Sequence, residues 1–338
     1  IVSHPCQLSA VSICKFANLF WESSHRSEET SASHVSMETA KARALNVWTI
    51  LDGLTTKSTQ RSVVRGHMSL KLLGRNAVVF GVANKWSIGW SIAQAWQSAG
   101  ANVAVVCATE RIAGSVSNLV GKHIAGDDRH GRMDVLCCDV TCETQVQETM
   151  LCLDDMFNGK LHALLHSVAF TPSGVLKQDY SEVSFEDFCA TQNTTAYSFN
   201  RICRHAKRLL IEGGKFERGG ASVVTLSFIG SSFVVPNYHV VGVAKSCLES
   251  STRYLAAEFG PYNIRVNALS PGPINTAAAR GIPNFRKLEK SIMGKTLLQR
   301  NALPDEIATA ATFLASSDSS CITGQTIYAD CGFSSSKY

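Results

Sequence analysis

The chain has 338 residues, of which 45% are hydrophobic and 17% charged, with a formal net charge of +5 and a mean hydropathy of +0.04. This composition is typical of a globular protein with enough apolar material for a sizeable core. Lysine and arginine form no run like those of nucleic-acid-binding proteins, and no apolar run reaches the roughly 18 residues of a membrane helix. None of the 12 cysteines forms a C-x-x-C pair, so we expect no metal site and a reducing compartment.

The first 70 residues differ from the rest of the chain. They are rich in serine and threonine, carry scattered basic residues and show no clean hydrophobic period. We expect residues 1–70 to be an N-terminal extension outside the fold. From Met37 onward this segment is poor in acids, as organelle transit peptides are, but a disordered leader explains the same composition. The expected location is the cytoplasm, or the matrix of a mitochondrion or plastid if residues 1–70 are a transit peptide.

From Gly74 onward, short apolar runs alternate with helical patterns. The predicted strands lie, in chain order, at 76–82, 102–108, 133–140, 161–170, 220–228, 264–272 and 323–333. The first helix is expected over 87–100, where Gly100 is a stop signal, and later helices begin near 110 and 142. This alternation predicts an α/β protein with a doubly wound parallel sheet, a Rossmann fold. We expect a single domain over 71–335.

A glycine turn follows the first predicted strand. In "GVANKWSIGWSIA", Gly81 stands at the strand exit and Ser87, Ile88 and Gly89 at the helix entry. Glycine there lets backbone amides approach a pyrophosphate, and a helix N-terminus favours its charge. The pattern is not G-x-G-x-x-G, and a plain structural turn explains it equally well. Its position in the first βαβ unit favours a dinucleotide site.

Polar and small residues follow the next three strands. Glu110 favours NADH and Arg111 favours a 2′-phosphate, although both also suit the first turn of a helix. Asp139 is offered to the adenine edge or caps the following helix. After the fourth strand, Ser167 and the small Ala169 stand where the backbone passes close to a cofactor.

A tyrosine and a lysine lie seven positions apart in "PNYHVVGVAKS". In one helix, seven residues turn about 700°, so Tyr238 and Lys245 would lie within about 20° of the same face. A nearby ammonium favours the phenolate, and such a tyrosine is able to donate a proton to an oxyanion. We expect this pair to be catalytic, with the lysine anchoring the nicotinamide ribose.

Together these residues resemble the short-chain dehydrogenase/reductase superfamily, and within it the bacterial-type enoyl-acyl-carrier-protein reductases. Ordinary members of the superfamily place the tyrosine and lysine four apart, whereas the enoyl reductases use the seven-residue spacing seen here. The resemblance covers about 72–334. It rests on the glycine turn, "CDV", "HSVAF", the tyrosine–lysine segment with "SPGPINT", "RGIPNFRK" and "ITGQTIYADCGF".

The resemblance implies NAD(P)H-dependent reduction of the trans-2 double bond of an enoyl thioester in fatty-acid elongation. NADH is the expected cofactor, with NADPH left open. The residues expected to line the cofactor are Gly81, Ala83, Ser87, Ile88, Asp139, Val140, Ser167, Val168, Ala169, Lys245, Gly272, Pro273, Ile274 and Thr276. Those expected to contact the substrate are Ala169, Phe228 and Tyr238, with Tyr238 bonding the enolate oxygen.

The resemblance also implies partners. The segment from about 275 to 295 would be a helical lid over the acyl chain. Its Arg286 and Lys287 match positions that meet the acidic acyl carrier protein, although a solvated helix face explains them as well. Coenzyme A remains open as the carrier. A homotetramer is expected.

Four positions depart from the family pattern. Phe228 replaces a second tyrosine, Ala108 replaces a glutamine or arginine, Pro271 replaces an alanine and Asn193 replaces an aspartate. These changes leave room for a carbonyl reductase or alcohol dehydrogenase acting on a ketone or 3-ketoacyl substrate. The missing hydroxyl at Phe228 also leaves room for a catalytically idle nucleotide-binding scaffold.

Overall fold

Residues 71–124 and 131–336 are described by the structure, a computed structural model. The predicted extension over 1–70 lies outside the described residues. Within them, the strands form one parallel sheet in the order β3-β2-β1-β4-β5-β6-β7. The strands are β1 Asn76–Phe80, β2 Asn102–Cys107, β3 Met133–Cys137, β4 Ala163–His166, β5 Ala221–Leu226, β6 Ile264–Pro271 and β7 Thr326–Ala329.

Helices connect the strands and cover both faces of the sheet. They are α1 Ile88–Ser98, α2 Glu110–Ile124, α3 Glu143–Phe157, α4 Phe185–Gln192, α5 Ser198–Gly214, α6 His239–Phe259, α7 Phe285–Met293 and α8 Pro304–Ala315. A π-helical turn, Asn193–Tyr197, joins α4 to α5. Among the described residues, no helix is both long enough and apolar enough to cross a bilayer.

Alternate side chains of each strand point to opposite faces, which produces two separate cores. From β1, Ala77 and Val79 enter the core formed with α1, α2 and α8, whereas Val78 and Phe80 enter the core formed with α3, α5 and α6. All four side chains are fully buried. Strands buried on both faces are continuously apolar, as the sequence is here.

The prediction of a doubly wound Rossmann sheet is therefore confirmed. The predicted strands were too long at their carboxyl ends. The fourth, predicted over 161–170, ends at His166, and the fifth, predicted over 220–228, ends at Leu226. Apolar character continues past these ends because the following loops line a crevice rather than the sheet.

The predicted lid segment, 275–295, contains two helical pieces. A 3₁₀ turn spans Ala279–Gly281, and α7 spans Phe285–Met293. Phe285 and Ile292 are buried, so one face of α7 packs against the body of the protein. The opposite face carries charged residues to solvent.

One helix, α5, concentrates basic residues without forming a continuous run of them. Helix α5 carries four of them, each within ion-pair distance of a carboxylate from a neighbouring helix. The pairs are Arg201 and Arg204 with Glu143, Lys207 with Glu258, and Arg208 with Asp154. Paired in this way, the cluster ties α5 to α3 and α6.

Candidate active site

The crevice lies where the strand order reverses. β1 has β2 on one side and β4 on the other, so the connections leaving β1 and β4 diverge at the carboxyl edge of the sheet. In open α/β sheets, ligands bind in the crevice at this switch point. The predicted site residues lie in the loops that follow β1, β3, β4, β5 and β6 and at the start of α6.

The loop after β1 is held close to the sheet. Gly81 has φ +91°, and a Cβ there would lie 2.1 Å from the carbonyl oxygen of Ser167, so only glycine fits. The hydroxyl of Ser87 accepts hydrogen bonds from the amides of Ala83 and Asn84, at 3.2 and 3.1 Å. Helix α1 then begins at Ile88, and the first amides of a helix have no partner within it. This arrangement suits a phosphate group.

A depression lies beside the carboxyl ends of β2 and β3. Among the residues that line it are Ala108, Glu110, Cys137, Asp139, Gln145 and Glu148. Burial and a hydrogen bond with Glu110 raise the pKa of the Cys137 thiol. Three of the lining residues, Glu110, Asp139 and Glu148, are acidic. A depression with these carboxylates suits an unmodified adenosine and disfavours an adenosine with a 2′-phosphate.

Asp139 forms a turn before α3. Its carboxylate accepts hydrogen bonds from the amide and the hydroxyl of Thr141, at 2.9 and 2.7 Å. The N-cap of α3 is Cys142, so Asp139 does not cap the helix. Its backbone amide donates to the side chain of Gln145, which fixes the edge of the depression.

The loop after β4 passes through the crevice with Ser167 and Val168 half-buried and Ala169 exposed. The π-helical turn fixes this loop, because the hydroxyl of Thr195 accepts from the amide of Phe170 and donates to its carbonyl, at 3.1 and 3.0 Å. A π-turn often marks a functional site. Sequence reasoning missed this contact, and no short-range signal reveals it.

The exit of β6 places the remaining predicted cofactor residues. Gly272, Pro273 and Ile274 are buried, and the amide of Gly272 donates to the carbonyl of Ala329 at 3.2 Å. The hydroxyl of Thr276 accepts from the amide of Ala279 at 3.1 Å, which starts the lid segment.

Tyr238 does not lie within the helix, as the sequence had suggested, but caps it. Helix α6 begins at His239, and Tyr238 has φ −128° and ψ 8°. The preceding Asn237 has φ 58°, and its side-chain amide donates to the carbonyl of Pro283 in the lid segment at 3.1 Å. The lysine still lies on the buried side of α6, two turns later.

The ring of Tyr238 is buried in an apolar cluster, with 8% of the residue exposed. Phe228 contacts it edge to face, with ring centroids 5.0 Å apart. Gly230 lies against the same ring, since a Cβ there would be 2.5 Å from Cδ1. Ile282 and Leu288 of the lid segment pack against this cluster. The hydroxyl of Tyr238 forms no hydrogen bond with any described residue.

Lys245 is buried below the crevice. Its ammonium donates a hydrogen bond to the carbonyl of Leu226, the last residue of β5, at 2.7 Å. Burial lowers the pKa of Lys245 to about 8, and the carboxylate of Glu249 opposes this shift. Burial raises the pKa of Tyr238 above its ordinary value. The ammonium does not lower the pKa of Tyr238 as expected, because burial raises that pKa and keeps the phenol neutral.

Two buried polar residues near this pair were missed. The carboxylate of Glu249 accepts hydrogen bonds from the hydroxyls of Ser227 and Ser231, the latter at 2.7 Å. His166 lies between the hydroxyls of Thr225 and Ser198, at 2.9 Å from each. Burial, with a contribution from the charge of Lys245, lowers the pKa of His166 to about 3.

Three further predicted residues have clear positions. Asn193, which departs from the family pattern, accepts a hydrogen bond from Arg201 through its side-chain oxygen at 3.2 Å. Arg286 and Lys287 are exposed on α7, and neither forms an ion pair with a described residue. Among the described residues, no group of three histidine, cysteine or acidic side chains is placed to hold a metal ion.

The donors of these loops fit a nicotinamide dinucleotide. The glycine turn and the start of α1 would hold the pyrophosphate, and the depression beside β2 and β3 the adenosine. The loops after β4 and β6 would flank the nicotinamide, which supplies a hydride when bound. The sheet, the switch-point crevice and the buried tyrosine–lysine pair define a Rossmann-type, dinucleotide-binding protein of the short-chain reductase class.

Comparison with known proteins gives the family within that class. Residues 81–334 match the model of the enoyl-(acyl carrier protein) reductase family, and the chain belongs to that family. The NADH-named enoyl-[acyl-carrier-protein] reductase of Bacillus subtilis is 38% identical over 79% of this chain and 98% of its own length. The corresponding protein of a Nostoc species is 37% identical over 78% of this chain and 98% of its own. The resemblance noted in the sequence is thus confirmed.

Solved structures agree with this assignment. The Anaplasma phagocytophilum enoyl-acyl-carrier-protein reductase in complex with NAD has a TM-score of 0.73 and 33% identity, covering 80% of this chain and 97% of that one. The Bacillus cereus reductase with NADP+ and indole naphthyridinone also has a TM-score of 0.73, with 34% identity over 80% of this chain and all of that one. Of these two solved structures, one contains NAD and the other NADP+.

Proposed function

We propose that this protein is an enoyl-acyl-carrier-protein reductase that reduces the trans-2 double bond of an enoyl thioester in fatty-acid elongation. The observation that carries this proposal is a neutral, buried Tyr238 beside the switch-point crevice of a chain that belongs to the reductase family. Its ring lies in an apolar cluster suited to an acyl chain, and its hydroxyl, which bonds to none of the described residues, is able to donate a hydrogen bond to a substrate.

Tyr238 supports the acid step of this reaction. When a hydride adds to the β-carbon, the electron pair of the double bond forms a new double bond between the α-carbon and the thioester carbon. The π pair of the carbonyl moves onto its oxygen, and the product is an enolate. The hydroxyl of Tyr238 donates a hydrogen bond to that oxygen, and its raised pKa keeps it protonated at neutral pH. Protonation of the α-carbon then gives the saturated thioester.

Lys245 supports cofactor binding. Its ammonium is already fixed by the carbonyl of Leu226 and has further donors for the ribose hydroxyls of a nicotinamide nucleotide. With a pKa of about 8, it carries its charge at neutral pH and stabilises the developing enolate. The cofactor-lining and substrate-contacting residues named from the sequence remain part of this proposal.

NADH is the proposed cofactor. The names of the Bacillus and Nostoc relatives specify NADH. The three carboxylates at the predicted adenosine depression, Glu110, Asp139 and Glu148, repel the 2′-phosphate of NADPH.

Acyl carrier protein is the proposed carrier of the substrate. Arg286 and Lys287 lie within the lid segment and pair with no carboxylate of the described residues, so their two positive charges suit an acidic partner. Charge reversal at both positions should raise KM for a carrier-protein thioester and leave KM for a coenzyme A thioester unchanged.

A homotetramer is proposed as the working assembly. On the outer side of α6, Val243 and Tyr254 are exposed, the latter at 77%, and a second copy would cover such apolar side chains. The molar mass in solution tests this directly.

We propose that the protein resides in the cytoplasm, or in a mitochondrial or plastid matrix if residues 1–70 are a transit peptide. A fluorescent fusion with and without this segment distinguishes the two locations.

Incubation with two thioesters tests the activity. Crotonyl-thioester and acetoacetyl-thioester, each with NADH and with NADPH, separate the proposed enoyl reductase from a keto reductase. We expect oxidation of NADH with the crotonyl substrate only. Turnover of the acetoacetyl substrate alone would establish a carbonyl reductase, and dinucleotide binding without any turnover would establish an idle scaffold.

A further inference from the structure

A short wall of the proposed catalytic site consists of residues 226–231, at the end of β5 and in the loop after it. It begins at Leu226, whose carbonyl accepts the hydrogen bond from Lys245. It continues through Phe228 and Gly230, which both contact the ring of Tyr238. The position of this short segment therefore determines where the phenol and the ammonium stand.

A single carboxylate holds both ends of that wall. Glu249 is buried, with 8% of the residue exposed, and the same oxygen accepts hydrogen bonds from the hydroxyls of Ser227 and Ser231. The two serines flank the three residues that shape the tyrosine pocket. Hydrogen bonds from hydroxyls to a buried charged group are among the stronger ones in a protein.

The same carboxylate acts on the lysine. Glu249 follows Lys245 by four residues on α6, so the two side chains project from the same side of the helix. Its negative charge favours the protonated lysine and opposes the effect of burial. Ser246 adds a tie from the helix to the wall, since its hydroxyl donates to the carbonyl of Ser231.

We propose that Glu249 is a positioning residue for the reductase reaction, acting through Ser227 and Ser231 on the wall that seats Tyr238 and through charge on Lys245. This inference rests on the function proposed above. It assigns a role to a buried acid that touches neither the substrate nor the cofactor in the proposed site.

The pH dependence of the reaction separates this role from a purely structural one. The titratable groups that interact with Lys245 are Glu249 on the same helix and His166 on β4. His166 has a pKa of about 3 and Tyr238 a raised pKa, so neither changes its charge between pH 6 and 8. An alkaline limb near pH 8 therefore reports the loss of the lysine proton.

The test compares Glu249→Gln with Glu258→Gln, a matched change at an exposed position of the same helix. The readouts are kcat/KM for crotonyl-thioester and the NADH dissociation constant, both from pH 6 to 9. We expect the alkaline limb of the Glu249→Gln variant to move about one pH unit lower in both measurements, and that of Glu258→Gln to stay. An unmoved limb in Glu249→Gln overturns the charge role, whatever happens to its thermal stability.

A second variant isolates the hydrogen bonds. Changing Ser227 and Ser231 together to alanine keeps the charge of Glu249 and removes its contacts with the wall. We expect kcat to fall at least about tenfold with the alkaline limb unmoved, since one misplaced group in a catalytic site costs that much or more. A wild-type kcat in this variant overturns the positioning role, and it decides the matter even if Glu249→Gln fails to fold.

The NADH titration keeps this inference separate from the proposed function. This titration depends only on dinucleotide binding and does not depend on whether an enoyl thioester is reduced. A wild-type protein that binds NADH but reduces no enoyl thioester contradicts the function, while the shift in the pH dependence of NADH binding still tests Glu249.

Discussion

The ring of Phe228 meets the ring of Tyr238 edge to face, with the centroids 5.0 Å apart and the planes at 69°. Phe228 supplies packing to this pair and no hydroxyl, so Tyr238 carries the only hydroxyl of the two rings.

Tyr238→Phe removes the proposed proton donor and keeps the ring pair. We expect kcat to fall by about 10²–10⁴-fold, the range of general acid catalysis, with NADH affinity unchanged. Steady-state rates with crotonyl-thioester and a binding titration measure this. Phe228→Tyr is the matched control, because it adds a hydroxyl to the other ring, and should keep a rate near that of the wild type. Full activity in Tyr238→Phe contradicts the role of the phenol.

Gly230→Ala places a methyl group 2.5 Å from the ring of Tyr238. We expect the free energy of unfolding to fall by about 1–3 kcal/mol through overpacking, with a lower kcat because the phenol is displaced. Gly114→Ala on α2 is the control, since its added methyl group meets nothing within 4 Å. That change should stabilise the helix by about 0.5–1 kcal/mol and leave kcat unchanged. Chemical denaturation of both variants measures the difference.

Glu110→Gln removes one negative charge from the predicted adenosine depression. We expect the ratio of NADPH to NADH affinity to rise several-fold, because repulsion of the 2′-phosphate is reduced. Dissociation constants for both nucleotides at low ionic strength measure it. Glu186→Gln, on the exposed first turn of α4, controls for the change in net charge. An unaltered ratio in Glu110→Gln would place the ribose elsewhere.

Low pH should destabilise the fold because His166 is buried in its neutral form. The pKa of His166 is about 3 against 6.5 for the ordinary side chain, so the unfolded state binds more protons between these values. Stability therefore decreases as pH falls from 6.5, by up to about 1.4 kcal/mol per pH unit for this group. Burial lowers the pKa of His162 as well, whereas the carboxylates of Glu143 and Glu306 contribute only below pH 4.5.

His166→Gln tests that assignment. The variant loses the hydrogen-bond geometry of the imidazole with Ser198 and Thr225 and should be less stable at pH 7. Its stability should nevertheless decline less steeply between pH 6.5 and 4.5. Urea unfolding at several pH values gives the slope. Equal slopes in the variant and the wild type would contradict the assignment.

Lys245→Met replaces a buried ammonium by an apolar side chain of similar length. Because the folded pKa of about 8 lies below the ordinary 10.5, the buried charge costs stability at pH 7, and the wild type should gain stability as pH rises from 8 to 10.5. We expect the variant to be more stable by about 1–3 kcal/mol at pH 7, with no such pH-dependent gain. We also expect it to bind NADH more weakly. Unchanged NADH affinity would contradict the proposed ribose contact.

Much of the fold was predictable from the sequence, because buried parallel strands are continuously apolar and glycine marks the exit from β1. The carboxyl ends of β4 and β5 were not predictable. Apolar residues such as Val168 and Phe228 continue each run into a loop, and composition alone does not separate a strand from the wall of a crevice.

The site was predictable where chemistry leaves a local pattern, and less so where it depends on tertiary contacts. The spacing of Tyr238 and Lys245 marked them as the proposed catalytic pair, but the start of α6 was misplaced. Asn237 has φ 58° after Pro236, and Tyr238 itself has φ −128° and ψ 8°, so the regular helix starts only at His239. The contacts of Glu249 with Ser227 and Ser231 join residues about 20 positions apart, although its spacing from Lys245 was a usable signal.

The hydrogen bond from Asn237 to Pro283 connects the residue before Tyr238 to segment 275–295, the proposed lid over the acyl chain. Displacing that segment would break this bond and remove a restraint on the left-handed Asn237 that precedes the tyrosine. On the proposed lid function, an inhibitor that holds this segment away from the body of the protein would disturb the position of Tyr238 without contacting that residue.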